Sequence, residues 1–130
     1  MIAEILCIGT ELLLGDIINT NASFLGKELS SIGVNVYYIT SVGDNKQRII
    51  EALDIASKRA QIIIVTGGLG PTADDLTHEA IANFLKVELE FHQEILDKLE
   101  NLYKTRGREL SKSNLKQTYL PKGSKILPNP

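Results

Sequence analysis

Short apolar runs alternate along this chain with segments whose apolar residues recur every three or four positions. Ile2 to Ile8 is apolar and is followed by Gly9-Thr10, so it reads as a buried strand ending in a turn. Glu11-Leu12-Leu13-Leu14-Gly15-Asp16 reads as irregular. Ala22, Leu25, Leu29 and Ile32 share one helix face, with the start near Asn19 to Asn21 and Gly33 suited to the C-terminus. Val34 to Val42 is rich in β-branched and tyrosyl residues and predicts a second strand. Asp44, with Gln47 three positions on, resembles an N-cap in a capping box; Ile49, Leu53 and Ala56 form the stripe of the helix that follows. Ile62 to Val65 is the most apolar strand and is expected to be central.

A glycine loop from Thr66 to Thr77 comes next, then a helix with Ile81, Phe84 and Leu85 inward. Val87 to Phe91 suits a brief extended piece. Ile95, Leu99, Leu102 and Tyr103 mark a further helix that Gly107 would end. Ser113 to Leu120 is weakly helical, Pro121-Lys122-Gly123 is a turn, and Ser124 to Leu127 is expected to begin another strand. A strand so near Pro128-Asn129-Pro130 suggests that the natural chain continues. Strands alternating with helices predict an α/β fold with a mainly parallel sheet, covered on both faces.

The 130 residues suit one domain, with 43% hydrophobic side chains for a core. A net charge of −2 gives no basic stripe for nucleic acid. The stretch Lys98 to Lys125 is locally basic; it reads as a solvated helix face and loop, the alternative being a rim that attracts an anion. Cys7 is the single cysteine and lies in an apolar run, so it reads as a buried hydrophobe and a reduced, cytoplasmic setting fits. No apolar run reaches membrane-spanning length, and no basic-then-apolar leader opens the sequence, so no membrane partner is expected.

In open α/β sheets, ligands sit at the carboxyl ends of strands. Three loops qualify, Gly9-Thr10-Glu11, Gly43-Asp44-Asn45 and Thr66 to Thr77, each with glycine and an acid. The third is the most informative. Gly67-Gly68-Leu69-Gly70 is neither a Walker loop nor G-x-G-x-x-G, but glycine lets backbone amides face an anion. Thr66, Thr72 and Thr77 add hydroxyls for phosphate oxygens. Asp75 suits a divalent cation; the competing reading is that either Asp74 or Asp75 caps the helix that begins near Leu76. Glu11, Asp44 and Asp75 converge if their strands are neighbours, and then only around a metal, because like charges repel. Asn19 and Asn21 suit ligand hydrogen bonds or a helix start. His78 and His92 fit no metal spacing, and Ser23, Ser30 and Ser31 lack a nucleophile-elbow context.

Gly9-Thr10-Glu11-Leu12-Leu13-Leu14-Gly15, Asn19-Thr20-Asn21, Val42-Gly43-Asp44-Asn45, Thr66 to Thr72 with Asp74-Asp75-Leu76-Thr77, and Arg106-Gly107-Arg108-Glu109 together resemble the N-terminal domain of the CinA family, the competence/damage-inducible proteins. The resemblance runs from Met1 to Pro130. That domain is similar to MoaB, MogA and the matching domain of MoeA and gephyrin, which implies a three-layer α/β/α fold with a mixed sheet. It implies a pterin- or nucleotide-phosphate site at Thr66, Gly67, Gly68, Gly70, Asp75 and Thr77. The molybdopterin relatives commonly read Gly-Thr-Gly where this chain has Gly68-Leu69-Gly70. CinA-type domains imply instead metal-dependent hydrolysis of ADP-ribose to AMP and ribose 5-phosphate. On that reading Asp75, Glu11 and Asp44 are catalytic, Asp75 and Glu11 hold the metal, and Thr72 and Asn21 join the phosphate site. A non-catalytic binding module is the alternative. The family pattern continues into a further glycine loop beyond this sequence, so the domain is expected to be truncated. Relatives that assemble as dimers or trimers imply a homo-oligomer.

Overall fold

The computed structural model describes residues 1–129; Pro130 lies outside the described residues. Its centre is a three-stranded parallel sheet in the order β2-β1-β3, built from β1 (Ile2–Ile8), β2 (Asn35–Val42) and β3 (Ile62–Thr66). β1 is the middle strand and is almost wholly buried, while every residue of β3 is only half-buried. The expected centrality of Ile62 to Val65 is therefore corrected: among the described strands β3 is an edge. Hydrophobicity reported burial on both faces but not the count of hydrogen-bonded neighbours.

Alternation along β1 divides the core. Leu6 and Ile8 pack with Val42, Ile49, Leu53 and Ala80 on one face, whereas Ala3, Ile5 and Cys7 pack with Ala22 and Leu29 on the other. The first face is covered by α3 (Lys46–Arg59) and α4 (Thr77–Leu85), the second by α2 (Thr20–Ser31). This is the three-layer arrangement the pattern predicts. In α2 the stripe stops short, for Ile32 is 73% exposed and caps the helix before Gly33. In α4 the fully buried positions are Thr77, Ala80 and Ala82; Ile81 and Phe84 pack against the core as expected, while Leu85, at the end of the helix, is 54% exposed.

Local expectations also fail before α3. Glu11 to Leu14 is not irregular but belongs to α1 (Thr10–Leu14), a single turn closed by Gly15 in the left-handed region. Asn45, not Asp44, caps α3, its side chain accepting from the Arg48 amide at 3.0 Å. Asn45 competes equally well for the cap by residue type, and Asp44 has a different partner.

The remaining chain forms a smaller lobe. β4 (Leu89–Phe91) pairs antiparallel with β5 (Tyr119–Pro121), and α5 (Gln93–Thr105) and a 3₁₀ segment (Lys112–Thr118) lie between them. No residue of α5 is fully buried. The strand expected over Ser124 to Leu127 does not form; the pairing instead uses Tyr119–Pro121, where Phe91 and Tyr119 bring their rings to 5.6 Å. No helix among the described residues is long and apolar enough to cross a membrane.

Candidate functional site

Parallel strands bring three loops to the carboxyl end of the sheet. The first two are locked together. Gly9 donates its amide to Val42 O at 2.8 Å. Asp44 Oδ2 accepts from the Thr10 amide at 3.2 Å, and the Asp44 amide donates to Thr10 Oγ1 at 3.1 Å. The third loop presses against the first: a Cβ on Gly67 would lie 2.0 Å from Ile8 O.

Between the β1 and β3 ends and the start of α2 lies a cleft of about 120 Å³. Thr66 and Gly67 form one wall, Glu11 and Leu12 another, and Asn19, Thr20 and Asn21 a third, with Ile17 and Ile18 at the rim. Asn19 accepts the Ala22 amide as the N-cap of α2. Asn21 Nδ2 donates to Thr66 Oγ1 at 3.4 Å and bridges two walls. Gly67 and Gly68 adopt φ of 91° and 65°, where glycine is needed. Among the described residues, none of the Gly67, Gly68 or Leu69 amides donates to a protein acceptor. Of these three, Gly67 lines the cleft, so its amide and the Asn19 and Asn21 side chains are the uncharged polar groups there.

The distal part of the glycine loop is closed on itself. Asp75 Oδ2 accepts from the Thr72 amide at 2.9 Å and from Thr72 Oγ1 at 2.7 Å. Burial works against its charge, but the bonds from Thr72, one from the Gly70 amide and the charge of Lys116 together hold its carboxyl below the ordinary aspartate value. Thr77 is buried and donates its hydroxyl to Gly67 O at 2.7 Å. Asp75→Ala is expected to cost about 1–2 kcal/mol, since it strands donors inside the turn; Asp75→Asn should cost less. Because the folded carboxyl titrates below its unfolded value, this contribution is full above that unfolded value and is lost as pH falls through the folded one. Urea melts of the three proteins at neutral and acid pH measure it, and equal midpoints for wild type and Asp75→Ala would refute it.

Of the residues named from sequence, Glu11, Asn21, Thr66 and Gly67 come together in the cleft. Gly68, Gly70, Thr72, Asp75 and Thr77 shape the loop behind it, and Asp44 ties down Thr10. Among the described residues no group of three or more His, Cys, Asp or Glu side chains is gathered to hold a metal. With Asp44 and Asp75 committed to loop donors, the donor set does not fit a cation held by protein carboxylates alone. Sequence reasoning missed Ile17 and Ile18, because nothing in Glu11 to Asn19 signals that they rim a cavity. It also missed Lys116, whose Nζ donates to Thr72 O at 2.7 Å from 44 residues away.

The family described as Probable molybdopterin binding domain matches residues 4–125. This chain belongs to it. Within the family the chain is of the CinA type. It is 55% identical over 130 residues to a CinA-like protein of Crocosphaera subtropica, covering 100% of this chain and 32% of that protein. A CinA-like protein of Nostoc punctiforme is 54% identical, with 100% of this chain and 31% of that protein covered. The chain thus spans about a third of the length of these curated relatives. The crystal structure of CinA from Thermoplasma acidophilum superposes with a TM-score of 0.88 at 31% identity, covering 99% of this chain and 75% of that one. MoaB of Thermus thermophilus shares the fold, with a TM-score of 0.59 at 20% identity, covering 91% of this chain and 70% of that one.

Proposed function

We propose that the chain binds a phosphorylated small molecule, a nucleotide or a pterin, in the cleft between Glu11, Asn19 to Asn21 and Thr66-Gly67. The observation that carries this reading is Gly67 at the carboxyl end of β3, which lines the cleft with an amide that donates to no acceptor among the described residues, with the Gly68 and Leu69 amides following it in the loop. At about 120 Å³ the cleft is smaller than the roughly 300–1,000 Å³ of a whole-ligand site, so it suits one moiety, with the remainder lying over Ile17 and Ile18. Neither lysine nor arginine lines it, and Glu11 does. A bare diphosphate would be repelled there, so Glu11 faces either ligand hydroxyls or a divalent cation that arrives with the diphosphate as part of the substrate.

The resemblance to CinA-type domains extends this to hydrolysis of ADP-ribose to AMP and ribose 5-phosphate. Within the cleft Glu11 is the one carboxylate positioned to accept a proton from an attacking water. Binding without turnover is the second reading. It is favoured because Asp44 and Asp75, the other two acids of the set, are occupied with loop amides.

Calorimetric titration with ADP-ribose, AMP and pyrophosphate, each with and without magnesium, tests both readings beside an assay of AMP release. Thr66→Val should weaken binding about tenfold, as loss of a hydrogen bond to a charged group does. Glu11→Gln should leave binding in place and abolish AMP release if the chain is a hydrolase. Binding by wild type with no AMP formed would select the module. No binding of any of the three would end the proposal. The exposed Tyr37 and Ile39 on the β2 edge support a homo-oligomer, which sedimentation velocity would reveal.

A further inference from the structure

The 3₁₀ segment Lys112–Thr118 is fixed by buried polar side chains rather than by an apolar face. Asn114 is buried; its Oδ1 accepts the Ser111 amide at 3.1 Å and its Nδ2 donates to the Tyr103 hydroxyl of α5 at 3.0 Å. Thr118 is fully buried and donates to Leu115 O. From this platform two neighbouring side chains cross to the glycine loop. Lys116 Nζ donates to Thr72 O at 2.7 Å, and Gln117 Nε2 donates to Leu69 O at 3.4 Å.

The described peptides hold no cis bond, so each carbonyl and the amide that follows it point in opposite directions. Gln117 holds the oxygen of the Leu69–Gly70 peptide, and the Asp75 carboxylate lies beside Gly70 on the other side of the loop. Lys116 and the Asp75 amide together hold the oxygen of the Thr72–Ala73 peptide. Two peptides of the loop are thereby held in part from outside it, by Lys116 and Gln117. The Lys116 charge also faces Asp75 and His78. Burial is the main reason that the His78 imidazole titrates below its usual value; Lys116 adds to this, and a hydrogen bond to the Tyr119 backbone opposes it.

We propose that Lys116, assisted by Gln117, is a positioning residue that latches the glycine loop to the smaller lobe and so fixes the amides that meet the ligand's phosphate. This rests on the binding reading above for its functional half; the latch itself does not. The basic stretch Lys98 to Lys125 therefore contains one lysine with a use other than solvation.

Amide hydrogen exchange and imidazole titration by NMR, combined with ADP-ribose titration, test the latch in the intact chain. Lys116→Met should speed exchange at Gly70, Thr72 and Asp75 about tenfold or more and leave Ile5 and Leu6 unchanged, as a local opening does. It should raise the His78 pKa and weaken ADP-ribose binding about fivefold or more, in keeping with loss of a charged hydrogen bond. Lys116→Arg should restore all three. Gln117→Ala reads the same loop from the other tether, at Gly70, should Lys116→Met fail to fold. Unchanged exchange in the loop, or acceleration spread equally through β1, overturns the latch. A loosened loop with unchanged affinity overturns its link to binding. If wild type does not bind ADP-ribose, the binding reading falls while exchange and titration still decide the latch.

Discussion

Gly67→Ala is expected to lower stability by about 2–6 kcal/mol and to abolish binding in the cleft. Two independent costs combine. The residue sits at φ 91°, where a side chain carries roughly 1–3 kcal/mol of strain. The added Cβ would also lie 2.0 Å from the carbonyl oxygen of Ile8. That oxygen belongs to the buried central strand, so it cannot swing aside as a flexible side chain would; the β3 end must retreat and widen the cleft. An overpacked contact of this kind adds about 1–3 kcal/mol. At about 4 °C per kcal/mol for a chain of this size, the melting temperature should fall by about 8–24 °C. Gly26→Ala is the control. It lies inside α2 with nothing within 4 Å of an added Cβ and should be neutral or stabilising by up to about 1 kcal/mol. A Gly67→Ala protein that melts within about 3 °C of wild type would show that the loop is not wedged against β1.

Arg59→Ala should be comparably damaging, for an electrostatic reason. Glu4 lies on the central strand with no solvent exposure. Arg59, near the end of α3, grips it with two nitrogens at 2.8 and 2.7 Å, and Thr40 of β2 donates its hydroxyl at 2.7 Å. The guanidinium stacks 3.7 Å over the Tyr38 ring. One ion pair thus joins a helix to two strands of the sheet. Removing the arginine leaves a buried carboxylate with a single hydroxyl donor, a situation that costs about 3–5 kcal/mol.

The pH dependence provides a check on the cause. In wild type the Arg59 hydrogen bonds, opposed by burial and helped by Thr40, hold the Glu4 carboxyl below its ordinary value of 4.5. Its stabilisation is complete above that value and is lost as pH falls through the folded pKa. In Arg59→Ala, burial opposed only by the Thr40 hydroxyl is expected to raise the carboxyl instead, so that the native state takes up a proton more readily than the unfolded chain. The deficit relative to wild type should then be greatest at neutral pH and shrink toward pH 4. Replacing both residues by leucine should recover most of the loss, because the pair is exchanged for apolar packing. Denaturant titrations of the three proteins at pH 7 and pH 4 would decide it. A deficit independent of pH would point to lost packing over Tyr38 rather than to the charge.

Apolar periodicity by itself determined the order of the main elements, their alternation and the layered class, because burial on both faces of a parallel sheet leaves a direct imprint on the residues. The glycines after β3 were legible for the same kind of reason: φ values of 91° and 65° at Gly67 and Gly68 restrict the residue type locally. The motif order also led to the CinA resemblance. Only the tertiary structure decided which strand is central, since apolar content, highest in β3, does not count hydrogen-bonded neighbours, of which β1 has two. It alone turned Asp44 and Asp75 inward to loop amides while leaving Glu11 in the cleft, for a carboxylate's partner is chosen by which donors folding brings within reach. The Glu4–Arg59 pair and the Lys116 contact span 55 and 44 residues, and no local pattern encodes a hydrogen bond whose two ends meet only after the chain has folded.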